Sequence, residues 1–184
     1  MGESYLSQVK RLFSEQEIAE KVRELAGQIS LDYAGRSPLV VGILKGSWIF
    51  LADLVRQLTI QVYIDFLTVA SYGASTISSG VVKIVMDLKA PLTGRDVLVV
   101  EDILDSGLTM SYILSHLRLR KPRSLKLCVL MDKRARRQVA VEPDYVGFVV
   151  PDRFLVGYGV DYAERYRHLP FIGYLEGLED EGKG

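Results

Sequence analysis

The sequence predicts an α/β fold with a mostly parallel central sheet flanked by helices, and three observations carry that expectation. Short runs of branched apolar residues recur along the chain. One of them, Val97-Leu98-Val99-Val100, is unbroken by any polar residue, the pattern of a strand buried on both faces. Stretches with helical spacing alternate with these runs. At 184 residues the chain suits one compact domain, and 48% of it is apolar, which supports a core and excludes general disorder.

Ser14-Glu15-Gln16-Glu17 reads as a capping box, a hydroxyl at the N-cap with a Glu three residues on. Ile18, Val22, Leu25, Ala26 and Ile29 then follow a 3.6-residue period, so a helix is expected over 15–31. The run 38–44 reads as a buried strand, Lys45-Gly46-Ser47 breaks it, and 48–58 resumes helical spacing with Trp48, Leu51, Ala52 and Val55 on one face. A second strand is expected over 61–70. Residues 71–80 are small and polar without a period and read as a mobile loop, from which a strand returns over 81–88. After a turn at 91–94 come the buried strand at 97–100, a helix over 108–119 and strands at 125–131 and 145–150. From Pro151 the chain is rich in Tyr, Gly and Arg, and 179–184 reads as a frayed acidic tail.

Twenty-three basic residues balance 23 acidic ones, which argues against a nucleic-acid partner. Charge is nonetheless concentrated locally: residues 118–137 hold nine Lys or Arg and one acid, Asp132. Most of these read as a solvated helix end and turn. Lys133, just past a buried strand, is the exception. Cys128 is the only cysteine, so neither an internal disulfide framework nor a thiolate metal site is available, and it reads as a small buried residue. No basic stretch leading into an apolar one opens the chain, and no apolar run approaches a membrane span. A cytoplasmic protein with no membrane partner is expected.

The densest chemistry lies at 97–109. A buried strand ends in three carboxylates, Glu101, Asp102 and Asp105; a small-residue turn, Ser106-Gly107, then opens a helix at Leu108-Thr109. In open α/β sheets ligands bind beyond the carboxyl ends of the strands. The first N–H groups of the next helix are unpaired and suit a phosphate, and Gly107 allows close approach. Carboxylates beside a phosphate need hydroxyls or a cation between them, so the ligand read from these residues is a sugar phosphate, with Mg²⁺ able to bridge the remainder. The plainer reading is an N-cap acid with surface charges. Two other nucleotide motifs are absent: Gly42 to Ser47 does not match Gly-x-x-x-x-Gly-Lys-[Ser/Thr], and Tyr162 stands where Gly-x-Gly-x-x-Gly would need its third Gly after Gly157 and Gly159.

Residues 99–109 closely resemble the phosphoribosyl-pyrophosphate motif of the type I phosphoribosyltransferases, and the Glu-Asp-x-x-Asp-[Ser/Thr]-Gly-x-Thr form is similar to the hypoxanthine-guanine branch of that family. Gly42-Ile-Leu44-Lys45-Gly46 resembles the family's pyrophosphate loop, where a non-proline cis peptide precedes the Lys. Ser71-Tyr72 resembles the start of its lid, Met131-Asp132-Lys133-Arg134 its purine-contact strand end, and 150–162 its base-binding hood. The resemblance implies the type I phosphoribosyltransferase fold as a single domain over 1–184, with a core over about 35–150 and a small hood from about 1–13 and 151–178. It implies transfer of a 5-phosphoribosyl group from phosphoribosyl pyrophosphate to a 6-oxopurine, hypoxanthine or guanine, with Mg²⁺, and a homodimer or homotetramer.

By the same resemblance Asp105 acts as acid/base at purine N7. Lys133 donates to the purine O6, Phe154 stacks on the base, and the Leu155 backbone reads its edge. Leu44, Lys45, Gly46 and Arg167 hold pyrophosphate. Ser106, Gly107, Leu108 and Thr109 hold the 5′-phosphate. Glu101 and Asp102 hold the ribose, and together with Asp161 they hold the metal. Ser71 and Tyr72 begin the lid. Two alternatives remain at this point: a phosphoribosyltransferase for another base such as xanthine, and a regulatory sensor that binds the sugar pyrophosphate and a nucleic acid without turnover.

Overall fold

The computed structural model of the chain describes residues 8–71 and 82–176. In chain order the elements are β1 (Val9–Phe13), α1 (Glu15–Asp32), β2 (Leu39–Leu44), α2 (Trp48–Gln57), β3 (Tyr63–Ser71), β4 (Val82–Met86), β5 (Asp96–Leu104), α3 (Leu108–Leu119), β6 (Ser124–Asp132), β7 (Tyr145–Val149), β8 (Leu155–Val156) and β9 (Ile172–Leu175). Six strands form the main sheet in the order β4-β3-β2-β5-β6-β7. Its pairings are parallel except β3 with β4, as the α/β reading requires. The strands β1, β9 and β8 form a second, antiparallel sheet from the two ends of the described chain.

The pleat of β5 explains the layering. Leu98 and Val100 face a core shared with α1 and α2, and Val97 and Val99 face one shared with α3. Both sets are fully buried, hence the unbroken apolar run. Helix α1 starts where the capping box places it: the Ser14 backbone N–H donates to Glu17 Oε2 at 2.8 Å, and the Glu17 N–H donates to Ser14 Oγ at 3.3 Å. Such a cap contributes about 1 kcal/mol. Ile18, Val22, Leu25 and Ile29 are buried on its inner face, each worth roughly 1.5–3 kcal/mol against exposure. Among the described residues no helix is long and apolar enough to cross a membrane.

Two expectations are corrected. Helix α2 buries Phe50, Leu51 and Leu54, while Trp48 and Ala52 face outward. Strand β5 does not stop at Val100 but pairs with β6 as far as Leu104, so Glu101 and Asp102 lie within the strand.

At the opposite end of β5 the buried Asp96 is gripped by Arg123. Its Nε donates to Asp96 Oδ1 at 3.0 Å, its Nη2 donates to Oδ2, and Ser124 Oγ adds a bond of 2.6 Å. These partners pull the Asp96 carboxyl down to about 2 against burial, which opposes them. A depressed folded pKa means the stabilisation is complete above the unfolded value near 3.8 and is lost as pH falls towards 2. Thermal unfolding between pH 5 and 2 should therefore show a steeper drop in the unmodified chain than in Asp96→Asn, which keeps only the contributions of other paired carboxylates such as Asp32 and Asp87; parallel pH profiles for the two would contradict this.

Candidate active site

A cleft of about 550 Å³ opens at the carboxyl ends of the parallel strands. Its walls are the β2–α2 loop (Leu44, Lys45, Gly46), the end of β5 with its following turn (Glu101 to Gly107, then Thr109), and Asp161 and Arg167 from the C-terminal segment. Three chain regions far apart in sequence thus meet in one place. Most of the residues singled out for a sugar pyrophosphate are among them.

The peptide between Leu44 and Lys45 is cis, as the resemblance implies. Gly46 lies against the carboxylate of Asp102 so closely that a Cβ there would stand 1.9 Å from Oδ2. No side chain fits that gap, and Asp102 is itself buried. Gly46→Ala must therefore displace either the loop or the carboxylate. Misplacing site groups by about 1 Å can cost about 10²-fold, so kcat/KM should fall by that order while the protein still folds. Activity within threefold of the unmodified chain would argue against a tight loop–acid fit.

Glu101 and Asp102 are neighbours on β5, and the Asp102 N–H donates to Glu101 Oε1 at 3.2 Å. Glu101 is half-buried as a whole residue, yet enclosure of its carboxyl, with the hydrogen bond and charge of Asp102 added, raises its pKa well above the usual carboxylate range. Such a pair gains from hydroxyl donors or a cation. The side-chain atoms available here to ligate a cation are carboxylate oxygens, which suits a hard divalent ion. Among the described residues no three His, Cys, Asp or Glu gather into a ligand cage. Asp161 is engaged elsewhere: its Oδ1 lies 2.8 Å from Arg167 Nη2, and its Oδ2 accepts from the Glu164 N–H at 2.8 Å. Mg²⁺ is commonly held by one or two carboxylates plus substrate phosphates, and that arrangement needs no all-protein cage.

Helix α3 begins at Leu108 behind Gly107, which sits at φ +84°, a conformation that glycine adopts without strain. Across the cleft Lys45 Nζ lies 2.8 Å from Glu164 Oε2, and Arg167 Nη1 donates to the Gly159 carbonyl at 2.8 Å. The Nε of Arg167 is buried without a hydrogen-bond partner among the described residues. Lys45 and Arg167, which share the Glu164 carboxylate, line the same cleft as the acids of β5.

Lys133, Phe154 and Leu155 do not line this cleft. Lys133 reaches its edge: Nζ lies 3.8 Å from Asp105 Oδ2 and 3.8 Å from Asp152 Oδ1, with its side chain 4% exposed. Phe154 stands edge-on to Tyr162 at 5.1 Å, and Leu155 is buried in β8. Ser71 ends β3, while Tyr72 and the rest of the expected lid lie outside the described residues.

The solvated reading of the basic stretch fails at two positions. Arg136 Nε lies 4.0 Å from Asp105 Oδ1 and 3.8 Å from Asp152 Oδ1, and the Arg137 guanidinium is packed behind the 104–107 turn. Neither was legible in sequence, because consecutive arginines after a strand carry no mark of which one turns inward. Asp152 was also missed, although its place before Phe154 was visible.

A family profile described as the phosphoribosyl transferase domain matches residues 8–163. The chain belongs to the phosphoribosyltransferase family. A hypoxanthine-guanine phosphoribosyltransferase from Bacillus subtilis is 50% identical over 167 residues, covering 91% of this chain and 93% of the relative. A bifunctional protein TilS/HprT from Listeria innocua is 55% identical over the same length, covering 91% of this chain but 26% of that protein, so the chain spans about a quarter of this relative. Among solved structures, a hypoxanthine-guanine phosphoribosyltransferase from Bacillus anthracis superposes with a TM-score of 0.87 at 48% identity, covering 90% of this chain and 98% of that one. The cleft of this phosphoribosyltransferase opens at the strand ends, where the open α/β rule places a ligand.

Proposed function

We propose that this phosphoribosyltransferase works in purine salvage, moving the 5-phosphoribosyl group from phosphoribosyl pyrophosphate to N9 of hypoxanthine or guanine and giving IMP or GMP plus pyrophosphate. The observation that carries the reading is the joining, in one cleft, of adjacent carboxylates on β5 with the turn that opens α3. The amides of 106–109 take the 5′-phosphate, helped by the hydroxyls of Ser106 and Thr109. Glu101 and Asp102 accept hydrogen bonds from the ribose diol. Lys45, the Leu44 and Gly46 backbone and Arg167 hold the pyrophosphate and neutralise charge as it leaves. Lys133 donates to O6, Phe154 packs on the base, the Leu155 backbone reads its edge, and Asp105 holds or gives a proton at N7.

The family's divalent metal is in this reading Mg²⁺, with Glu101, Asp102 and Asp161 as its candidate holders. When bound it supplies Lewis-acid stabilisation of the leaving pyrophosphate. Ser71 and Tyr72 begin a lid that excludes water from the activated ribose. The small sheet of β1, β8 and β9 serves as the hood over the base, on a core of about 35–150. The protein works in the cytoplasm, since phosphoribosyl pyrophosphate is highly charged and does not cross membranes unaided. It assembles as a homodimer or homotetramer, a reading supported by exposed apolar side chains at Ile64 on β3 and at Val85 and Met86 on the edge strand β4.

Steady-state assays with hypoxanthine, guanine, xanthine and adenine, each with phosphoribosyl pyrophosphate and Mg²⁺, test the reading. Nucleotide and pyrophosphate should form in equal amounts with the first two bases. Turnover of xanthine alone would point to the other base class, and binding of the sugar pyrophosphate without turnover of any purine would overturn the enzyme reading.

A further inference from the structure

The turn that opens α3 does not hold its own shape; a segment outside the cleft fixes it. Three successive carbonyls, those of Leu104, Asp105 and Ser106, all point to one side. The Leu104 oxygen accepts from the Lys133 N–H at 3.0 Å and lies 3.5 Å from Arg137 Nη2. The Asp105 oxygen accepts from Arg137 Nε at 3.0 Å. The Ser106 oxygen accepts from the N–H groups of Gln138 at 2.9 Å and Val139 at 3.2 Å. Arg137 is itself fixed, donating through Nη1 to the Val141 carbonyl and pairing through Nη2 with the buried Asp132 at the end of β6. Its side chain is 15% exposed, and a Cβ on Gly107 would lie 3.0 Å from its Cδ.

In a trans peptide the carbonyl and the next N–H point in opposite directions. Turning the carbonyls of 104–106 towards Arg137 and its neighbours therefore turns the N–H groups of Asp105, Ser106 and Gly107 the other way, towards the cleft that these residues line. Successive amides aimed into one concavity form a site for an anion. A single planar cation is well suited to this task, because its fork of donors reaches several carbonyls and a carboxylate at once, which one ammonium cannot do.

We propose that Arg137 is a positioning residue for the 5′-phosphate site: it never touches the substrate, and it aims the turn amides by holding their carbonyls from behind. The proposal rests on the phosphoribosyl-transfer reading. Calorimetric titration of ribose 5-phosphate, with steady-state KM values for both substrates, tests it in Arg137→Met and Arg137→Lys. The control is Arg123→Met, which removes a comparable fork from buried Asp96 at the far end of the same strand.

Arg137→Met should weaken ribose 5-phosphate binding at least tenfold and raise the KM for phosphoribosyl pyrophosphate in proportion, with the KM for hypoxanthine within twofold. Arg137→Lys should weaken binding at least threefold. Arg123→Met should lower the melting temperature yet leave ribose 5-phosphate binding within twofold. If Arg137→Met fails to fold, Arg137→Lys carries the comparison. Binding within twofold of the unmodified chain in the variant tested, or an equal loss in Arg123→Met, overturns the proposal. An unmodified chain that neither binds ribose 5-phosphate nor turns over a purine overturns the phosphoribosyl-transfer reading instead.

Discussion

Asp105→Asn is expected to lower kcat by about 10²–10⁴-fold while the KM for phosphoribosyl pyrophosphate stays within a few-fold, the size of effect typical of a lost general acid/base. The carboxyl of Asp105 lies between two cations, with Lys133 Nζ 3.8 Å from Oδ2 and Arg136 Nε 4.0 Å from Oδ1, at the edge of the cleft. An amide has nearly the same shape but cannot exchange a proton near neutral pH. The split between kcat and KM is diagnostic, since an interaction made only in the transition state lowers kcat and kcat/KM together. The Asp105 carbonyl, which Arg137 holds, is untouched by the change, so the phosphate turn should survive. Pre-steady-state rates of nucleotide formation would check this directly; unchanged turnover removes Asp105 from the chemistry.

Lys133→Met should have the second largest effect, and a different signature. Its ammonium is almost wholly buried between the carboxylates of Asp105 and Asp152. A donor in that position fits an oxo group and leaves the amino group of adenine without an acceptor. Sites built on one hydrogen-bond polarity can reject the mismatched analogue by about 10⁴–10⁵-fold. Removing the donor should cut kcat/KM for hypoxanthine by about 10²–10³-fold and shrink the preference over adenine, with the KM for phosphoribosyl pyrophosphate nearly unchanged. Competition assays between hypoxanthine and adenine measure that ratio; a ratio preserved in Lys133→Met would assign the selection to other groups.

Legibility from sequence followed the physics of each element. Helix α1 announced both its start and its buried face, because its capping box is local and its apolar residues are sparse enough to show a period. Helix α2 did not: Trp48, Ile49, Phe50, Leu51, Ala52, Leu54 and Val55 are apolar almost without a break, so the phase was unmarked and tertiary packing chose Phe50 and Leu54. Strand β5 was read short because Glu101 and Asp102 break the apolar run, although their backbones continue the ladder to Leu104. The acids and the Ser-Gly turn were visible because strand, turn and helix are contiguous in sequence. Lys133 stood out by its place just past a buried strand and by the resemblance of 131–134 to the family's purine-contact strand end. Arg137 had no signal of its own, since most of its partners are main-chain carbonyls that any sequence supplies, and its one carboxylate partner, Asp132, stands beside several other cations. The small sheet of β1, β8 and β9 joins the two ends of the described chain, and short strands without strong alternation do not declare their partners.

The central claim is spatial: acids on β5 hold a pentose while the turn before α3 holds its phosphate. A crystal structure of the chain with GMP tests it most directly. The account expects the phosphorus within hydrogen-bonding reach of the amides of 106–109, the ribose hydroxyls on Glu101 and Asp102, and O6 beside Lys133. Phosphate bound away from that turn, or a ribose with no contact to either acid, would contradict it.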